Sequence, residues 1–230
     1  ALPGLVVREK IKILVKGGMS RVKMGIQSGS DNMLEFYKRP ATVAITNRAV
    51  SIIAEFTDYM ISPTYDIILD NPLETRQDVI DTLRFTYNMP RPYTLNIFSL
   101  RVLPSTELLN QFEESNTSYM SINDKSYTLV QPTFANILIY VLDIYKIPKA
   151  LFEFSLKYVY PLGKKQREFP ITLAIIRSIY MAKRGWRHMG FLDFSNFPGL
   201  IGKLGFLFWK VGAIKHWHEK VLARSNAYLN

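Results

Sequence analysis

The chain has 230 residues, 48% of them hydrophobic, which suffices to bury one substantial core or two modest ones. It contains no cysteine, which excludes disulfides, thiolate metal sites and a cysteine nucleophile. Net charge is +10, yet residues 1–115 carry 13 basic and 13 acidic residues while 116–230 carry 16 and 6, so the second half holds the whole excess.

In chain order, residues 5–16 space their apolar positions as one helix face, closed by Gly17-Gly18. Val22 to Ile26 reads as a β-branched strand, followed by a short helical segment and an amphipathic helix from Thr42 to Phe56. TYDIIL, Thr64 to Leu69, is a second strand. Asp70-Asn71-Pro72 ends it, and Thr75 with Asp78 resembles a capping box for helix 75–88. Thr94 to Leu100 is a third strand, after which Ser105 is placed to cap a helix through Glu113. Beyond the polar stretches 116–118 and 121–126, residues 136–145, 151–160, 169–187 and 200–224 read as helices rich in aromatic and basic residues.

Strand starts 30–40 residues apart, with helices between, have the rhythm of consecutive βαβ units. Three parallel strands cannot close a barrel. The expected class is therefore α/β: a partial (βα) TIM-like barrel followed by a mainly helical C-terminal extension. Its expected divisions are 1–115 for the barrel part, 116–130 for a linker and 131–230 for the basic, aromatic extension.

Residues 22–42, VKMGIQSGSDNMLEFYKRPAT, are the most informative stretch. A strand runs into Gln27-Ser28-Gly29-Ser30, and Arg39 follows Gln27 by twelve residues. A strand ending in polar residues beside a glycine turn is where βα enzymes meet their ligands. An amide and a guanidinium at such a rim suit a small molecule with hydroxyls and a carboxylate. The same pattern also fits an ordinary turn in which Gln27 caps backbone groups.

Four elements taken together, GIQSGS (Gly25–Ser30), Arg39-Pro40-Ala41-Thr42, DIILDNPLET (Asp66–Thr75) and PRPYTLNIFSLRVLPSTEL (Pro90–Leu108), resemble the C-terminal half of a radical S-adenosylmethionine enzyme domain. They look most like the group that carries a cobalamin-binding domain. The resemblance covers about residues 1–115. It implies that Arg39 pairs with the carboxylate of S-adenosylmethionine, that Gln27 lies near its polar atoms, and that Asp66 approaches the ribose hydroxyls. Ser28, Ser99 and Arg101, at neighbouring strand ends, would line the same site. Asp66 also interrupts an apolar strand, a position that costs several kcal/mol without a partner.

The sequence departs from the family pattern in three places. The common GxPGET turn reads Asp70-Asn71-Pro72-Leu73-Glu74-Thr75, and the usual PGT reads Pro104-Ser105-Thr106. The three cysteines that hold a 4Fe–4S cluster in such families are missing. The resemblance therefore implies that the cluster, and cobalamin where used, are held by an N-terminal part of the same protein upstream of Ala1. This chain alone would be catalytically inactive. In the intact protein it would contribute to radical or cobalamin-dependent methyl-transfer chemistry on a small-molecule substrate. No catalytic residue and no metal ligand is assigned within the chain.

The second half offers another reading. Lys157, Lys164, Lys165, Arg167, Arg177, Lys183, Arg184 and Arg187 face a single acid, Glu168, over residues 157–187, with aromatic residues interleaved. That is either a solvated basic face or a non-enzymatic module touching a membrane surface or polyanion. No nucleic-acid motif occurs, so nucleic acid is not expected as a partner. His216 and His218 lie two apart with no third ligand nearby, a poor metal pair on a helix. No eighteen-residue window is free of charge and no secretory signal opens the chain, so a cytoplasmic location is expected, with peripheral membrane contact open to the tail.

Overall fold

Three parallel strands, β1 (Lys23–Gln27), β2 (Thr64–Leu69) and β3 (Thr94–Ser99), lie side by side in sequence order. They are seen in a computed structural model that describes residues 1–119, 126–162, 167–189, 203–204, 207 and 210–212. Helix α1 (Arg8–Lys16) precedes β1. Helices α2 (Asp31–Phe36) and α3 (Val43–Ala54) cross to β2, and α4 (Arg76–Asn88) crosses to β3. Helix α5 (Glu107–Glu114) follows, and then α6 (Phe134–Ile144), α7 (Lys149–Ser155) and α8 (Pro170–Met189). This is the expected α/β arrangement: strands alternating with helices as in part of an open barrel, then helices alone. The predicted helix 200–224 and the His216–His218 pair lie largely or wholly outside the described residues.

Local chemistry sets these boundaries. Gly17 closes α1, as the double glycine predicts. Ser30 Oγ accepts from Met33 N to cap α2, and Thr42 Oγ1 accepts from Ile45 N to cap α3. The capping box at α4 forms as expected: Thr75 N donates to Asp78 Oδ2 at 2.8 Å and Asp78 N to Thr75 Oγ1 at 3.2 Å. At α5 the cap is Thr106 rather than Ser105. Ser105 adopts φ 60°, a left-handed turn position, which leaves the next hydroxyl to accept from Leu109 N.

The two faces of the sheet differ. Met24, Ile26, Tyr65, Ile67, Leu95 and Ile97 are buried on one face, in the same core as Leu138, Ile139, Tyr140, Phe152 and Tyr180 of the C-terminal helices. Each such side chain contributes about 1.5–3 kcal/mol on burial, so the extension is held by the same force that holds the strands together. Lys23, Gly25, Asp66, Ile68, Asn96 and Phe98 alternate with these residues on the other face, which stays partly open.

Among the described residues, the outer edge of β3 around Leu95 is met by side chains and not by a further strand. Asp143 Oδ1 accepts from Leu95 N at 2.8 Å, Tyr180 OH donates to Leu95 O, and Arg187 donates to Tyr93 O. Lys183 and Arg91 donate to carbonyls at the C-terminus of α6, where cations complement the helix dipole. Lys183, Arg184 and Arg187 thus turn toward the fold, so the basic face expected over 157–187 is in part an internal one.

Candidate functional site

The site begins at a distortion. β1 pairs Gly25 with Asp66 and then Gln27 with Ile67, so one residue bulges, and Gln27 adopts φ 72°. A left-handed glutamine is uncommon, and such strain concentrates at functional positions. The conformation folds its side chain back, and Gln27 Nε2 occupies the space into which a Cβ on residue 25 would project. A side chain on residue 25 would have to displace that amide. The second glycine of the motif serves packing: a Cβ on Gly29 would lie 2.5 Å from Phe85 Cβ and 2.7 Å from Thr82 Cα, so the turn rests directly on α4.

Gly25, Asp66 and Asn96 are in register across the three strands. The Gln27 amide therefore lies over the first position of a polar row. Asp66 Oδ1 accepts from Asn96 Nδ2 at 2.7 Å, and Lys23 Nζ lies 3.4 Å from Asp66 Oδ2. Arg184 Nη1, reaching over from α8, donates to Asn96 Oδ1 at 2.6 Å. Arg39 is exposed and lines a cleft of about 230 Å³ together with Gly25, Leu34, Pro40, Ala41 and Thr46. Gly25 is thus common to the row holding Gln27 and Asp66 and to the cleft holding Arg39.

The other three predicted residues are engaged elsewhere. Ser28 Oγ shares a hydrogen bond with Thr82 Oγ1 at 2.9 Å beneath the turn. Ser99 Oγ donates to Asp70 Oδ2 at 2.6 Å and accepts from Arg101 Nη1 at 2.8 Å. Asp70 itself is buried with φ 62° and also accepts from Gln131 N and Asn136 Nδ2, which ties the strand ends to the start of α6. Burial raises its carboxyl, against the hydrogen bonds from Ser99, Gln131 and Asn136 and the charge of Arg101. A second cleft, of about 490 Å³, opens beside it at the ends of β2 and β3, with Pro72, Leu100, Val102 and Phe112 as its apolar wall.

Sequence reading missed Asn96, Lys23 and Arg184. Asn96 was within reach: TYDIIL and TLNIFS carry the same Thr-x-polar pattern, and parallel register sets Asp66 beside Asn96. Arg184 carried no such signal, since it lies 88 residues from its partner.

No protein-family model matches the chain, and no curated protein matches it. Among solved structures it is similar to Elp3 of the archaeon Methanocaldococcus infernus with an N-terminal deletion (1-46), at a TM-score of 0.47 and 18% identity. The match covers 80% of this chain and 41% of that one, so the chain spans about two fifths of that protein's length.

Proposed function

We propose that the chain is the C-terminal portion of a radical S-adenosylmethionine enzyme, of the cobalamin-linked group, and that Gln27, Arg39 and Asp66 hold S-adenosylmethionine. One observation carries this reading. An amide and a carboxylate flank a glycine on the open sheet face, the amide filling the space above it, and an arginine lines the cleft that meets them there. The donor set suits the ligand. A guanidinium binds a carboxylate through two charge-assisted bonds, and an aspartate accepts from a ribose diol. When bound, S-adenosylmethionine supplies an adenosyl or methyl group. This chain's residues bind and orient it.

The residues here do not fit a 4Fe–4S cluster, since the chain has no cysteine; cluster and cobalamin belong to other segments of the intact protein. The second cleft, mostly apolar and at the strand ends, is the place we assign to the substrate. The test is titration calorimetry of the protein with S-adenosylmethionine. Arg39→Ala is expected to weaken binding by roughly tenfold or more, the worth of one charged hydrogen-bonded pair. Unchanged affinity would rule out the clamp.

A second reading, a module that binds an anionic membrane surface, is favoured by α8. Its Ile171, Ile175, Ile179 and Trp186 are exposed and lie on one arc of the helix. Exposed Leu204, Leu207 and Val211 accompany the exposed Lys203 and Lys210. Among the described residues, no helix is long and apolar enough to cross a membrane. Co-sedimentation with phosphatidylserine vesicles, weakening in salt and lost in Ile175→Glu, is the expected result. Absence of binding at every salt concentration ends this reading.

A further inference from the structure

The polar row does not stop at the strands. From Asp66 it runs through Asn96 to Arg184, a residue of the C-terminal helix α8. Arg184 is itself fixed. Its Nη1 also donates to Tyr180 OH at 3.1 Å, and that hydroxyl donates to Leu95 O at the edge of β3. The guanidinium has no acceptor lone pair and can only donate, so it obliges Asn96 to present its carbonyl oxygen toward α8. The Asn96 amide nitrogen then points the other way, across the sheet to Asp66 Oδ1. One carboxylate oxygen is thereby occupied and the group's rotation is fixed. Oδ2 is left toward the Lys23 side of a row whose first position, Gly25, carries no side chain.

We infer that Asn96 and Arg184 are positioning residues for Asp66, and that α8 thereby belongs to the apparatus that binds a ribose diol. This inference rests on the reading of Asp66 as the ribose acceptor. Geometry favours positioning over a plain structural link for two reasons. Asn96 and Asp66 are both only half-buried, on the open face of the sheet and away from the main core. The β3 backbone groups beside Arg184, Leu95 N, Leu95 O and Tyr93 O, are already satisfied by Asp143, Tyr180 and Arg187.

The experiment compares two probes, S-adenosylmethionine and its 2′-deoxy analogue, by calorimetry on the full chain. The unsubstituted protein is expected to prefer the hydroxylated probe by about tenfold, the loss expected for one hydrogen bond to a charged group. Asp66→Asn should bring that ratio close to one. Asn96→Ala and Arg184→Gln should lower it at least threefold, since a glutamine amide can accept as well as donate, and Arg184→Lys, which restores a group that can only donate, should recover part of it. A structural role alone would shift the melting temperature, or weaken both probes equally, and leave the ratio intact. Should Arg184→Gln fail to fold, Asn96→Ala, on the open face, carries the comparison. Binding of neither probe to the unsubstituted chain overturns the S-adenosylmethionine reading and this inference with it. A ratio abolished in Asp66→Asn but unchanged in Asn96→Ala and Arg184→Gln overturns the positioning role alone.

Discussion

Glu74 stands between two other acids, Asp70 and Asp78, and its carboxyl has no hydrogen-bond partner among the described residues. Burial, and then the charges of Asp78 and Asp70, push it up to about 8 from its ordinary 4.5. It lines a cavity of about 20 Å³, room for one water. Asp78 has the opposite fate. Burial raises it, but donors from Ser30, Thr75 and Asn32 outweigh that and hold it below its usual value. The signs of the two contributions to stability differ accordingly. Between about pH 4.5 and 8 the folded chain keeps a proton on Glu74 that the unfolded chain gives up, so stability falls as pH rises through that window. Asp78 contributes stability that is present above its unfolded value and lost on acidification through its lower folded one. Glu74→Gln is therefore expected to flatten the pH dependence of the urea midpoint and to stabilise the protein by about 1–2 kcal/mol near pH 8, a figure reduced for partial solvent access. An unchanged slope would mean that Glu74 is ionised in the fold.

Among the elements, the junction of β3, α6 and α8 concentrates the largest risk. Asp143 is buried at the end of α6, with Arg187, Lys183 and Arg91 around it, and it holds the Leu95 N–H. Burial and the neighbouring Arg187 lower Lys183 to about 8, against the pull of Asp143. Removing the acid leaves cations facing one another and a strand donor unsatisfied. Asp143→Ala should cost about 3–5 kcal/mol in chemical denaturation, the usual penalty for breaking a buried charged network. Asp143→Asn keeps an acceptor for Leu95 N and should cost clearly less. Equal losses in the two variants would assign the effect to charge alone. The same junction explains why a basic stretch was a poor guide in the sequence. Composition counts charges, whereas helix phase decides that Lys183, Arg184 and Arg187 face inward while Ile175, Ile179 and Trp186 face out.

At the level of the whole molecule, what was legible in the sequence was what is local. The strands, the crossover helices and the Thr75–Asp78 box follow from periodicity and capping within a few residues, and the structure places them within a residue or two of those expectations. Gly25 and Gln27 stood out because a strand-end motif is also local. Contacts of long sequence separation were not legible: Asp70 with Asn136, Leu95 with Asp143, Asn96 with Arg184. Nothing in 230 letters ranks those pairs above their alternatives until the helices dock. The two flanks of the sheet are guarded by different means. At β3, Leu95 N, Leu95 O and Tyr93 O are held by side chains, while beside β1 the chain's own first residues lie against the strand, the Ala1 ammonium donating to Lys23 O. Leu2 to Leu5 share the cleft with Arg39 and Gly25, so that rim is a vestibule walled by the chain's own start, while the row that ends on Arg184 keeps to the open face of the sheet.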